Sequence, residues 1–430
     1  MKMTNSLLNK LQIEKIGVIA LLLIIFLLSF PRSWSIYPLW LFLICGLLLW
    51  LSDFKKTARA FLDIWYLIIP PVLYFMVHFI SVILQKAEIT LLVNRLMFIL
   101  IPLLGFPVFI NDYFKQHVEF AFKTLILGLL CISVFLLIRI SWICINGATD
   151  ELSLIEYIRV NSDNLVSLGF SVLEHPTYLS MKLNSALLFL ICFSGKWKIK
   201  VLPGGLLFLL FSIMIFMSAS KTGIFLWALL IILFILKIGK EKSYRSVIYI
   251  VLIPSFVVLS FLMARQIDRI EWFLHYTKAG IVTEDIDLKN IDQRTREWYS
   301  ALQLIKEKPL IGFGLAKVED RMVKEYHRQG FEEEAAIKLN AHNQYLEAQM
   351  TFGIAGILSL LIMLLTPVFF HKRLEFPGLT VLLIIMIIIY LFFESMFNRQ
   401  WGIMFFMLYY CILTFISRDF HKTTSPETLS

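Results

Sequence analysis

Three groups of residues in this chain have the types and spacing to act on an anionic leaving group. His342 stands in Ala-His-Asn-Gln-Tyr-Leu-Glu, where a polar stretch runs into an apolar one. An imidazole with an ordinary pKa of about 6.5 can accept a proton near neutral pH. Position alone equally allows an interfacial histidine that caps a helix. Arg294 and Arg296 open a helical pattern in Asp292-Gln-Arg-Thr-Arg-Glu-Trp298. A guanidinium binds phosphate through two parallel donors and stays charged at any relevant pH. The other reading is a solvated helix face. Two residues apart on a helix, these side chains diverge, so one of them points at a given site. Lys221 stands between two apolar runs, where a cation is costly unless it reaches water or an anion. Snorkelling at a helix end is its alternative, and Arg95 and Lys182 share that ambiguity. Glu347 and Glu394 are acids next to apolar runs and are candidate proton sites.

The elements that must position these residues are membrane spans. Of the 430 residues 59% are hydrophobic and 17% charged, against roughly 25% charged in an average soluble domain. That balance excludes a soluble multidomain enzyme, a disordered chain and a secreted disulfide scaffold. All five cysteines fall in apolar runs without metal-ligand spacing, so packing is their expected role. Twelve apolar segments approach the length of about 20 residues that crosses a bilayer. They are 16–31, 36–51, 63–84, 95–111, 118–144, 176–194, 201–218, 221–238, 247–264, 342–370, 377–393 and 401–417. The run 201–238 would be about 57 Å long as one helix at 1.5 Å per residue. Two helices with a tight turn at Ser218-Ala-Ser-Lys221 are therefore expected. The first run shows no cleavable signal-peptide pattern.

The net charge of +9 could suggest nucleic acid, but its distribution points elsewhere. With the N-terminus inside, the inner connections carry Lys55, Lys56, Arg59, Lys115, Lys196, Lys198, Lys200, Lys237, Lys240, Lys242, Arg245, Lys372, Arg373, Arg418 and Lys422. The short outer ones carry only Arg32, Lys86, Arg159, Lys221 and Arg399. This is the positive-inside bias, and it predicts both termini in the cytoplasm and no nucleic-acid partner. The expected fold is an all-α polytopic membrane protein with about twelve spans.

The division that follows is 1–264 for spans one to nine, 265–341 for a large outer loop, 342–417 for spans ten to twelve, and 418–430 for a tail. The loop holds thirteen Lys and Arg against fourteen Asp and Glu, so its charge is not set by topology. Residues 265–276 are amphipathic, 277–292 polar, and 294–307 repeat apolar positions at a helical period. Pro309 ends that helix, and a second one is expected over 316–328. Gly312-Phe-Gly314 follows a helix and a proline, not a strand, so it is no nucleotide-binding loop. An acidic outer connection, 146–175, is the other long one. A transporter of this size would show related halves with matching intramembrane acids, which this chain lacks.

The ordered series Arg294-x-x-x-Trp298, Pro309-x-x-Gly312-x-Gly314, His342-Asn343-x-Tyr345-Leu346 and Gly353-x-x-Gly356 resembles the O-antigen ligase/polymerase superfamily, over roughly 220–360. His175-Pro-Thr-Tyr and Glu394-Ser-Met-Phe-Asn-Arg399-Gln also look like members of this group. The resemblance implies a GT-C-like glycosyltransferase at the periplasmic face of the bacterial inner membrane. It implies a saccharide donor linked to undecaprenyl diphosphate, and an inverting, metal-independent mechanism without a cofactor. A ligase passes the glycan to lipid A–core; a polymerase passes it to another lipid-linked repeat; a protein O-oligosaccharyltransferase is a third variant. By motif, His342 matches the base that activates the acceptor hydroxyl and Arg294 the residue that holds the donor diphosphate. Lys221 stands where the family commonly has arginine. That departure keeps the charge and loses the two-pronged donor. Arg296, Asn343, Tyr345, His175 and Arg399 are the expected substrate-binding residues, with membrane lipids around them.

Overall fold

A computed structural model describes residues 2–147, 161, 165–238 and 292–416. The candidate span 247–264, the amphipathic 265–276, nearly all of 277–292 and the tail lie outside the described residues. The helices are α1 (Lys2–Leu27), α2 (Arg32–Ser52), α3 (Phe54–Asp63), α4 (Trp65–Leu84), α5 (Met97–Leu104), α6 (Phe106–Ile110), α7 (Asp112–Gly147), α8 (Pro176–Phe193), α9 (Val201–Met217), α10 (Lys221–Ile238), α11 (Gln293–Glu307), α12 (Val318–Gln329), α13 (Glu332–Ala336), α14 (Gln344–Phe369), α15 (Pro377–Phe393) and α16 (Gln400–Thr414). Among the described residues, five helices are long and apolar enough to cross a membrane, in α2, α4, α7, α8 and α14. The protein is multi-pass, and the shorter apolar helices pack among these five.

The turn expected inside 201–238 is present: α9 ends at Met217 and α10 starts at Lys221, with Ala219 at a left-handed φ of 51°. The stretch 95–111 departs from a single span. It is a 3₁₀ turn (Ile89–Leu96) followed by α5 and α6, broken at Gly105. Pro102 and Pro107 each remove a backbone donor there. A Cβ on Gly105 would meet the Phe42 ring at 2.4 Å, so the break seats one helix closely against α2.

Helix α8 is the centre of the bundle. Its mean hydropathy, 1.3, is the lowest of the five spans, yet 94% of it is buried in protein. Its polar groups find partners inside. Asn184 donates to the Gly223 carbonyl at 2.9 Å and to the Tyr390 hydroxyl at 2.8 Å. Lys182 donates to the Leu28 carbonyl at 2.6 Å and pairs with Glu174 at 2.5 Å. Polar groups at membrane depth are tolerated where protein satisfies them.

Helices α11 to α13 form a second, smaller core around Leu304, Met322, Tyr326 and Phe331. A backbone strap ties this unit to α14. Phe313 N–H donates to the Met350 carbonyl at 2.9 Å, Gly314 N–H to Thr351 at 2.7 Å, and Ile354 N–H to Leu310 at 3.1 Å. The strap needs α14 to open, and Gly353 does so at φ 63°, ψ −146°, a region essentially reserved for glycine. A Cβ on Gly353 would lie 2.1 Å from the Leu310 oxygen. We expect Gly353→Ala to destabilise the protein by more than the ~1–3 kcal/mol of backbone strain alone, measured as thermal unfolding in detergent. Gly378→Ala is the control, since nothing lies within 4 Å of a Cβ there, and its unfolding temperature should not move.

Candidate active site

Four separated stretches of chain meet at one end of the bundle: the first turn of α11, the turn before α14, the segment after α15, and the start of α8. Helix α11 begins where the Asp292 side chain accepts from Arg294 N–H at 3.2 Å, a standard N-cap. Its buried stripe is Glu297, Ser300, Ala301, Leu304 and Ile305. That stripe turns toward α14 and the small core, which places an acid, Glu297, in a fully buried position. Trp298 meets Phe392 edge-on at 5.2 Å and holds the helix over the end of α15.

His342 sits at a left-handed φ of 42°, uncommon for a residue with a Cβ. The turn is held from several sides. His342 N–H donates to the Asn340 side chain at 2.8 Å, and Ala341 N–H reaches Glu347 at 3.4 Å. Asn343 caps α14 by accepting from Tyr345 and Leu346 N–H at 3.0 and 3.1 Å. The result aims the imidazole at α11, where Nδ1 lies 2.8 Å from Glu297 Oε2. Nε2 has no hydrogen bond among the described residues.

Arg294 reaches the same carboxylate, with Nη1 at 3.7 Å from Glu297 Oε2. Its other terminal nitrogen lies 3.8 Å from Glu394 Oε2. Glu394 in turn lies 4.0 Å from His175 Nδ1. His175 caps α8, with Pro176 in the first helical position, where a missing N–H costs nothing. Arg294 and His342 thus meet through Glu297. Several buried polar atoms of the cluster lack a hydrogen-bond partner among the described residues: Arg294 Nη1, Glu297 Oε1, Glu394 Oε2, Ser395 Oγ and the Tyr178 hydroxyl. Buried polar groups of this kind are usually paired with protein, water or a ligand.

Burial sets the electrostatics. It pushes the Glu297 carboxyl up to about 8, against the pull of Arg294 and with the repulsion of Glu394 added. It raises Glu394 as well, again opposed by Arg294. His175 is pushed down to about 4, by burial and then by the positive charges of Arg294 and Arg399. The imidazole of His175 is therefore neutral at pH 7, and both carboxyls hold their protons more tightly than exposed ones.

The remaining expected residues take varied places. Arg399 precedes α16 on the surface, close enough for His175 and Glu394 to feel its charge. Arg296 diverges from Arg294. It donates from Nε to Glu334 at 2.7 Å and lies over the Phe331 ring, inside the unit of α11 to α13. The Tyr345 hydroxyl donates to the Ile388 carbonyl at 3.0 Å and ties α14 to α15. Lys221 is exposed at the start of α10. Its helix packs on the first turns of α8, because a Cβ on Gly223 would touch Ser180 at 2.5 Å. Lys221 thus sits at the same end of the bundle as His175, with no ion pair to a described residue.

Glu297 is the residue that sequence reasoning passed over. The available signal was an acid on the apolar stripe of an amphipathic helix, in register with Ala301 and Leu304.

Comparison with known proteins gives one family. Residues 206–361 match the family described as O-antigen ligase. That range contains Lys221, Arg294, Glu297 and His342; His175, Glu394 and Arg399 lie outside it. No curated protein matches the chain.

Proposed function

Because the chain belongs to the O-antigen ligase/polymerase superfamily through residues 206–361, and is thereby a membrane glycosyltransferase-type enzyme acting on lipid-linked glycans, we propose that it is an O-antigen ligase. In this reading it moves a glycan from undecaprenyl diphosphate to lipid A–core, on the periplasmic side of the inner membrane, with both termini in the cytoplasm. The observation that supports it is the convergence of His342, Glu297 and Arg294 at one end of the bundle. Displacing a diphosphate from a sugar requires a base on the acceptor and a cation on the leaving group, and this cluster supplies both.

In the proposed step, His342 Nε2 takes the proton of the acceptor hydroxyl. The oxygen attacks the anomeric carbon from the side opposite the diphosphate and forms the new glycosidic bond. The bond from that carbon to the diphosphate oxygen breaks, and its electron pair leaves with the diphosphate. Arg294 faces that developing charge with two donors, and Lys221 adds a second cation at the same end. Fixed charges aimed at developing charge are a major source of rate. Arg399 and the neutral His175 line the approach; Arg296, Asn343 and Tyr345 shape the site through the contacts described above.

The lipopolysaccharide profile of a deletion strain tests this. Loss of all O-antigen with lipid-linked polymer still present is the expected result. Core bearing a single repeat would make the protein a polymerase instead. Unchanged lipopolysaccharide with loss of glycan from a protein would make it a protein O-oligosaccharyltransferase. Unchanged glycans with altered small-molecule uptake would overturn the transferase reading. The dominance of the 265–341 connection tilts the reading modestly to the ligase, because polymerases often carry two sizeable outer loops, and the second long connection, 146–175, keeps the polymerase as the alternative.

A further inference from the structure

We infer that Glu297 is the positioning residue for His342: its carboxylate holds the hydrogen of the imidazole on Nδ1 and leaves Nε2 to take the acceptor's proton. The inference rests on the transferase reading above. A carboxylate only accepts hydrogen bonds, so the 2.8 Å contact from Nδ1 to Glu297 Oε2 selects one tautomer. The lone pair then lies on Nε2, on the far side of the ring. Glu297 is fully buried, while the His342 side chain is 17% exposed. The acid is thus the rigid member of the pair, and the base is the member a substrate can reach. The left-handed backbone at His342 turns the ring toward α11, and no other side chain among the described residues bonds it there.

The proton count follows directly. The acceptor O–H breaks and its proton goes to Nε2. The imidazole becomes an imidazolium, and the Glu297 carboxylate beside Nδ1–H stabilises that charge. The proton then leaves from Nε2 to the departing diphosphate or to water, and the tautomer is restored. If Glu297 itself carries a proton, the arrangement inverts. Its O–H donates to Nδ1, the ring hydrogen moves to Nε2, and the base is lost.

The groups that face Glu297 set where this inversion occurs. Arg294 stands 3.7 Å away and favours the carboxylate. Burial disfavours it, as do Glu394 beyond Arg294, Glu334 on α13 and Asp292 at the start of α11, and the carboxyl is held near about 8. Tyr326, also facing it, stays protonated because burial raises its hydroxyl further. The rate should therefore climb as pH rises through the region near 8 and the carboxylate forms.

The test is Glu297→Gln in the full-length protein in detergent, with transfer measured from a polyprenyl-diphosphate-linked glycan. The amide oxygen still accepts from Nδ1–H, but no negative charge remains beside the imidazolium. We expect kcat to fall by roughly 10–100-fold, as for other groups that orient a functional histidine. The donor KM should stay within about twofold, and the climb of kcat with pH should vanish. Glu297→Asp, which withdraws the carboxylate by one methylene, should keep the climb with a lower kcat. It carries the test alone should the glutamine variant not fold. Wild-type kcat and pH profile in either folded variant, with His342→Asn inactive, would overturn the positioning role and leave the base reading standing. Full activity in all three would overturn both.

Discussion

Alanine at position 342 abolishes measurable glycan transfer: we expect a fall of roughly 10²–10⁴-fold, the usual contribution of a general base. The expectation rests on geometry. His342 is the partly exposed residue of the cluster whose free ring nitrogen can face an incoming hydroxyl, with its other nitrogen fixed on Glu297. Because position 342 has a left-handed backbone, alanine could also disturb the turn. His342→Asn separates the two effects, since asparagine adopts that conformation more readily than most residues but is no base. His342→Asn should purify with the wild-type unfolding temperature, and both variants should fail in a reconstituted transfer assay. Wild-type turnover in either would remove the base assignment.

The second large effect is at Arg294. Arg294→Lys keeps one positive charge and loses the planar pair of donors. A hydrogen bond to a charged group is worth about 1.5–3 kcal/mol, which corresponds to roughly ten- to a hundredfold in donor handling. The loss should appear mainly as a higher KM for the lipid diphosphate, read from initial rates against donor concentration. Lysine at this place would also tend to settle on Glu297 or Glu394, since both lie within 4 Å of the arginine nitrogens. Arg294→Gln removes the cation that opposes burial at both acids, so transfer should fall further. An Arg294→Lys enzyme with unchanged donor KM would assign this residue to the surface.

Much of this arrangement was legible in the chain because long apolar runs and helix punctuation are local signals. The expected helices 294–307 and 316–328 appear as Gln293–Glu307 and Val318–Gln329, bounded by Asp292, Pro309 and Gly330. The turn at Ser218–Lys221 was legible because a single helix there would outrun the bilayer. The broken stretch 89–110 was not. From Leu96 on its apolar content is continuous; Pro102, Gly105 and Pro107 are visible as letters, but the close approach to α2 that fixes the break at Gly105 appears only in the packed bundle. The glycines of 312–314 and Gly353 were visible as letters, but their use, a backbone strap across an opened helix, depends on two segments meeting. Glu297 was hidden for a related reason. A single acid in a loop helix reads as solvated until the partner that buries it, forty-five residues away, is in place.

The character of α8 bears on how the protein is made. Alone in lipid, this helix would present Lys182, Asn184 and several hydroxyls to hydrocarbon, and each is expensive to insert. One of its carbonyl partners, Leu28, is synthesised earlier, but the Tyr390 hydroxyl follows Asn184 by 206 residues. Lys182 thus finds Leu28 and Glu174 in chain already made, whereas the second hydrogen bond of Asn184 forms only after α15 has been synthesised. His175 caps this helix and Glu394 follows Tyr390, so the pairing of His175 with Glu394 also forms late. A nascent chain truncated before α15 would hold Arg294, Glu297 and His342 but not Glu394, the acid that links Arg294 to His175.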